Sequence, residues 1–265
     1  MTRRPAAARR EPRKLSAVEK ALRIIEAVAA AQAPIGMAEV ERRTGLARPT
    51  AHRVTNTLIG LRYIERDLRL RHHSEGPKLV NLALDVLRSG GPRDKRREIL
   101  SDVARLTGEA CYFGLLRGDQ ILLVERVDSP APLGVRYNAD EALPAHCTAC
   151  GKLLLALLPK EECEAIVTSR ALTRHTVRTI IDRRRLALAL AGIRAAGIGT
   201  EDGEHIAGVT AIAVPVQLKG ARVVGALGLA APQARVGLPQ ARKLVPTLKT
   251  AAARLAATFD AGAAA

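Results

Sequence analysis

Three groups of residues have side chains whose types and spacing could do chemistry. Arg48, Thr50, His52, Arg53, Thr55 and Asn56 run together without a carboxylate among them. That is a supply of donors for phosphates and base edges. His146-Cys147 with Cys150 three positions on could close two thiols on one ion or on each other. Structural zinc takes four ligands, however, and no second closely spaced cysteine pair exists, so small core or pocket residues are expected, with no metal and no cofactor. Glu201, Asp202, Glu204 and His205 could gather a cation, but a solvated loop with one or two members turned toward a pocket is the plainer reading. Nothing resembles a catalytic constellation. The glycine-rich segments lack a phosphate-loop lysine at its spacing, and no serine stands in a G-x-S-x-G elbow. The expectation is a binding protein; an enzyme with an accessory nucleic-acid domain and an architectural DNA protein are the alternatives.

Composition favours a polyanionic partner. The 265 residues hold 42 Lys plus Arg against 26 Asp plus Glu, a formal charge of +16. More than half of that excess, +9, lies in residues 1–90. With three Tyr, two Phe and no Trp, base stacking on a single strand is poorly supplied, so a duplex is expected. A hydrophobic share of 48% and a mean hydropathy of +0.03 exclude a disordered chain. Four cysteines are too few for a disulfide scaffold and suit a reducing compartment. No apolar run approaches a membrane helix and the Arg-rich opening lacks an export core, so a cytoplasmic protein with no membrane partner is expected.

The elements that must position these residues follow from periodicity and punctuation. Residues 1–14 form a basic, Pro-containing tail expected to be disordered. Ser16-x-x-Glu19 reads as a capping box opening a helix over 16–31, with Val18, Leu22, Ile25 and Val28 on its apolar face. A second helix fits 37–44, stopped by Gly45, and a third fits 49–61, with Pro49 in its first turn. Two short helices across a tight turn after a packing helix are the parts of a helix-turn-helix. Residues 63–66 and 71–74 can pair as a hairpin with Arg69 and Arg71 at its tip, and His72 and His73 on its surface. A linker helix fits 77–88, with a stripe of Leu79, Leu82, Val86 and Leu87 for a partner. Ser89-Gly90-Gly91-Pro92 breaks the pattern. The expected division is therefore a tail (1–14), a winged helix-turn-helix (15–76), a linker (77–91) and a second domain (92–265). That last domain alternates helices near 93–107, 147–158, 160–169, 182–196 and 239–259 with strands near 110–116, 120–127, 209–218 and 222–230. Turns at Arg117-Gly118-Asp119 and Lys219-Gly220-Ala221 make two hairpins.

The succession Ala21-Leu22-Arg23-Ile24-Ile25, Thr44-Gly45-Leu46-Ala47-Arg48-Pro49-Thr50-Ala51-His52-Arg53 and Tyr63-Ile64-Glu65-Arg66-Asp67 resembles the DNA-binding domain of the IclR family of bacterial transcriptional regulators. Leu143-Pro144-Ala145-His146-Cys147-Thr148-Ala149-Cys150-Gly151-Lys152 and residues 197–216 resemble its effector domain, so the likeness spans residues 15–260. The resemblance implies an α+β two-domain fold: a winged helix-turn-helix followed by a GAF-like effector domain with a mainly antiparallel sheet and flanking helices. It also implies a repressor or activator that binds double-stranded operator DNA as a homodimer or dimer of dimers and senses a small organic acid. The expected DNA contacts are Arg48, Thr50, His52, Arg53, Asn56, Arg69 and Arg71. The expected effector contacts are Val135, Ala145, His146, Thr148, Ala149, Cys150, Glu201, Val209, Ala211, Gly228 and Ala230, with the acid's carboxylate on the amides that open the helix after His146. Glu41 stands where the family favours alanine, Glu75 where it favours an apolar residue and Glu201 where it favours aspartate. Ala211, Gly228 and Ala230 are smaller and less polar than the family's usual pocket residues, which predicts room for an acid with an apolar or aromatic body.

Overall fold

The computed structural model describes residues 15–31, 34–67, 71–88, 91–137, 142–218 and 223–260. The basic tail, Arg69 and the 219–221 turn lie outside the described residues. The chain divides into two compact units, one through Val86 and the other from Leu87.

In the first unit, α1 (Ala17–Ala29) begins with the expected capping box: the Glu19 amide donates to Ser16 Oγ at 3.1 Å and the Ser16 amide to Glu19 Oε2 at 2.7 Å. Its inward face is the expected one in its second half only. Val28 is buried and Ile25 packs on the same core, joined by Ile24 and Ala27, whereas Val18 and Leu22 are 68% and 51% exposed. α2 (Met37–Thr44) ends on Gly45, whose φ of 68° is left-handed backbone that glycine adopts without steric cost. α3 (Arg48–Gly60) starts immediately after, with Pro49 in its first turn. Ala51, Val54 and Leu58 pack from α3 onto Ile24, Val28, Val40 and Ile64. The hairpin joins β1 (Ile64–Arg66) to β2 (His73–Glu75), antiparallel, with Ile64 opposite Glu75. His73 is not on the wing surface. Its backbone pairs with Ile35 in both directions at 2.8 and 2.9 Å, which turns the imidazole inward, and burial pushes its pKa down. α4 (Pro77–Arg88) leaves Leu82 and Val86 exposed and buries Leu84.

The second unit is built on a six-stranded antiparallel sheet in the order β5-β4-β3-β8-β7-β6. Its strands are β3 (Ala110–Arg117), β4 (Gln120–Val127), β5 (Ala142–Pro144), β6 (Gly199–Asp202), β7 (Val209–Gln217) and β8 (Val223–Pro232). β5 and β6 are too short to show as sequence patterns. α5 (Gly91–Thr107) begins inside the glycine-proline break, since a proline in a first turn loses no hydrogen bond. The helix expected over 239–259 is two, α9 (Leu238–Lys243) and α10 (Val245–Asp260), separated at Leu244. The period-two alternation of the strands separates two faces. Phe113 meets Phe259 of α10 on one face, with ring centroids 5.7 Å apart. Ala110, Tyr112, Val209, Ala211, Ala213, Ala226 and Ala230 pack on the other face against α6 (Ala149–Leu157). Small strand residues let α6 lie close to the sheet, and eight successive residues of it, Ala149–Ala156, are buried. α7 (Lys160–Ser169) and α8 (Arg183–Ala196) complete that layer, with Leu186, Leu190 and Ile193 of α8 in the shared core.

Candidate functional site

On α3 the apolar residues that hold the helix down also decide which polar side chains face out. His52, Arg53 and Asn56 are exposed and Thr50 is half-buried. Thr55 is a correction. It shares the helix face of Ala51, Val54 and Leu58, is fully buried, and leaves its hydroxyl without a hydrogen-bond partner among the described residues. The Arg48 side chain is 78% exposed, but its Nε lies 3.9 Å from Glu41 Oε1, so α2 supplies the carboxylate that α3 lacks. Arg71 is exposed at the hairpin, on backbone of φ 54°.

In the second unit the expected effector residues are all buried, most of them within the core between α6 and the sheet. The volume expected from the small residues is taken up. A Cβ on Gly228 would stand 2.5 Å from Tyr112 Cζ and 2.8 Å from Cys150 Sγ, so the tyrosine ring lies across the glycine directly opposite it in the sheet. Cys150 turns to the sheet, its thiol donating to the Ala226 carbonyl at 3.7 Å. Thr148 caps α6 by accepting from the Gly151 amide at 3.3 Å, so one of the amides expected to receive a carboxylate is already satisfied. Buried polar atoms crowd this core: the Tyr112 hydroxyl faces the Cys150 thiol, and Glu201 Oε2 and Glu204 Oε2 have no hydrogen-bond partner among the described residues. Glu201 Oε1 accepts from the His205 amide at 3.1 Å, and burial raises the carboxyl to about 7. Lys152 of α6, also buried, pairs with Glu204.

A cavity of about 280 Å³ opens on the other side of the Ala145–Cys147 turn. Of the expected effector residues, Ala145 and His146 line it. Leu155, Ile166, Val167 and Leu172 line it with apolar side chains, and Arg170, His146, His175, Thr173 and Asp119 with polar ones, Arg170 Nη1 lying 3.9 Å from Asp119 Oδ2. An apolar cavity of roughly 150 Å³ holds a benzene ring. This one is about twice that volume.

His175 and Arg170 belong to the loop between α7 and α8, which carried no sequence signal. Thr176 and Thr179 fasten that loop: their hydroxyls donate to the carbonyls of Gly203 and Glu204 at 2.6 Å each. Arg178 adds an ion pair to Asp202 at 2.9 Å. The clasp brings the His175 ring 5.9 Å from His146 and 5.1 Å from His205. His146, Cys147 and His175 each bring one ligand atom within 4.8 Å of the others, a set able to hold a metal.

A family model described as the IclR helix-turn-helix domain matches residues 17–68, and one described as the bacterial transcriptional regulator IclR C-terminal matches residues 86–257. The chain belongs to the IclR family. Over 92% of its length it is 33% identical to the "Probable transcriptional regulator SauR" of Cupriavidus necator, 97% of which is covered. Among solved structures, an IclR homologue from Microbacterium hydrocarbonoxydans complexed with 4-hydroxybenzoate matches with a TM-score of 0.57 at 25% identity, over 93% of this chain and 100% of that one. The inducer-binding domain of PobR from Acinetobacter, a double mutant in complex with 3-hydroxybenzoic acid, matches with a TM-score of 0.58 at 25% identity, over 63% of this chain and 98% of that one. As an IclR regulator the chain joins a DNA-binding helix-turn-helix to an effector-binding domain, and it is a transcription factor rather than an enzyme. No helix among the described residues is long and apolar enough to cross a membrane.

Proposed function

We propose that this regulator senses a small organic acid with an apolar, single-ring body and controls a catabolic operon through it. The observation that carries the reading is the 280 Å³ cavity, lined both by aliphatic side chains and by Arg170, His146 and His175. A carboxylate suits the guanidinium and imidazoles, and a ring suits Leu155, Ile166, Val167 and Leu172. The hydroxybenzoates held by two solved relatives support the same class of ligand. Of the expected effector residues, Ala145 and His146 then meet the acid, while the others are buried elsewhere in the second unit, most of them in its core, and do not line the cavity.

For DNA, α3 enters the major groove with Arg53, His52 and Asn56 leading and Arg48 and Thr50 beside them, while Arg69 and Arg71 of the hairpin reach the backbone. One recognition helix reads a half-site. The exposed Val18 and Leu22 of α1 and Leu82 and Val86 of α4 offer apolar surface for a homodimer, or a dimer of dimers, that reads two. A ligand shifts this assembly only as far as its affinity differs between the two operator-binding states. The test is a thermal-shift screen of benzoates and aliphatic acids on the full chain, followed by operator affinity with each hit. The reading predicts that an acid raising the Tm also changes operator affinity and that Arg170→Ala removes both effects. If acids stabilise the protein but operator affinity never responds, the sensing role is wrong.

A further inference from the structure

We propose that His146, Cys147 and His175 form a binding site for a borderline-soft divalent cation, Zn²⁺, with its fourth coordination position open to the cavity. The three ligand atoms already lie within 4.8 Å of one another. Tetrahedral zinc at about 2.0–2.3 Å from nitrogen and sulfur draws its ligands closer than this. The closure falls to the His175 side chain, which is exposed, while His146 and Cys147 are buried.

The histidine in the fixed part is prepared for a metal. Its Nε2 lies 2.9 Å from the Thr173 carbonyl, and a carbonyl only accepts, so Nε2 carries the proton and Nδ1 presents its lone pair. Histidines that bind metals commonly donate their other ring N–H to a carbonyl in this way. The thiol is separated from its sequence neighbour: Cys150 faces Ala226 on the sheet, leaving Cys147 to the histidines. Two imidazoles and a thiolate select zinc or cobalt over magnesium or calcium, which take oxygen ligands. On binding, the Cys147 S–H bond gives way to an S–Zn bond and the proton leaves to solvent.

Three protein ligands leave one position free. Because His146 and His175 both line the cavity, that position faces into it. Zn²⁺ with one thiolate carries a net positive charge, which gives a carboxylate or a water a place to bind. Carboxylate ligation there rests on the effector reading above; metal binding does not, and the experiment below uses no acid.

Full-length protein stripped with a chelator is titrated with Zn²⁺ against a chromophoric chelator, and in parallel with Co²⁺ alone. The expected result is one saturable Zn²⁺ per chain, indifferent to excess Mg²⁺, and a near-ultraviolet thiolate-to-cobalt charge-transfer band. His175→Ala weakens Zn²⁺ binding at least tenfold, and because His175 is exposed this variant should fold. Cys147→Ser removes the charge-transfer band, while Cys163→Ser leaves both readouts unchanged. Equal Zn²⁺ affinity in the wild type and His175→Ala, or a cobalt spectrum without the thiolate band, overturns the site.

Discussion

The two units place their chemistry in opposite ways. The first exposes it: α3 is held by Ala51, Val54 and Leu58, and its donors project into solvent from one continuous stretch of chain. The second encloses it, with Lys152 of α6, Tyr112 of β3, Glu201 of β6 and Glu204 of the loop after β6 all buried. An exposed site can lose a side chain and keep its fold. A buried one cannot, because each polar group inside depends on another for the solvation it has given up.

The largest effect should follow from Lys152→Met. Removing the ammonium leaves the Glu204 carboxylate buried and unpaired, and breaking such a pair costs about 3–5 kcal/mol. Calorimetry of the full chain should show the transition of the second unit fall steeply, while operator binding at 20 °C (about room temperature) stays close to wild type. Equal loss of both would show that the units do not keep separate stabilities and would break the comparison.

Glu201→Gln sharpens it. Burial raises the carboxyl from 4.5 to about 7. The sign follows from the folded state holding the proton more tightly: the contribution to stability is complete below pH 4.5 and is lost as the pH rises through 7. At one unit per about 1.4 kcal/mol, the penalty carried by the ionised group above pH 7 is on the order of 3 kcal/mol. Glu201→Gln should therefore match the wild type near pH 4.5 and exceed it by pH 8, read as the difference between their unfolding free energies. A difference that does not change with pH would mean that Glu201 titrates as an exposed carboxylate.

The same contrast decided what the sequence could reveal. Helix starts and stops are local, and the Ser16 box, Gly45 and Pro49 mark them to within a residue or two. The linker helix over 77–88 and the two long hairpin strand pairs are legible for the same reason. The apolar stripe of α1 was read correctly at Ile25 and Val28 but not at Val18 and Leu22, since a helical pattern running through Ile24 and Val28 fits the sequence as well and only the neighbours decide which residues are covered. Thr55 and His73 look like surface donors until α3 packing and the Ile35 pairing turn them inward. The second site is long-range throughout. Twenty-seven residues separate His146 from the Thr173 carbonyl that orients it, and no spacing rule joins it to His175. Gly228 was read as empty volume, since nothing local reveals that Tyr112 lies across it.

On the exposed side, Arg53→Ala should weaken operator binding by ~1–3 kcal/mol with one position relaxed if it reads a base, or uniformly and with a flatter salt dependence if it meets a phosphate. Arg48→Ala should cost less, because Glu41 at 3.9 Å already offsets part of its charge. Glu41→Ala, by the same argument, should tighten binding in the wild type and not in Arg48→Ala. Measured across a salt titration, an equal gain in both backgrounds would separate Glu41 from Arg48.

The smallest effect lies in His73, the one titratable group that the first unit buries among the described residues. His73 has its pKa lowered from 6.5, chiefly by burial, against a bond to the Ile35 carbonyl that favours the charged ring. The unfolded chain then binds the proton first, so the contribution of His73 is complete above pH 6.5 and is lost as the pH falls below it. This is the opposite sign to Glu201. Acidification from pH 7 toward 5 should loosen the hairpin register at His73–Ile35 while relieving the second unit of its buried carboxylate charge. Amide exchange at Ile35 and His73, followed over that range, should accelerate relative to amides of α6. His73→Gln, which keeps a neutral donor and acceptor, should flatten the response; if exchange at Ile35 remains as pH-dependent in that variant as in the wild type, the imidazole is not what couples the wing to pH.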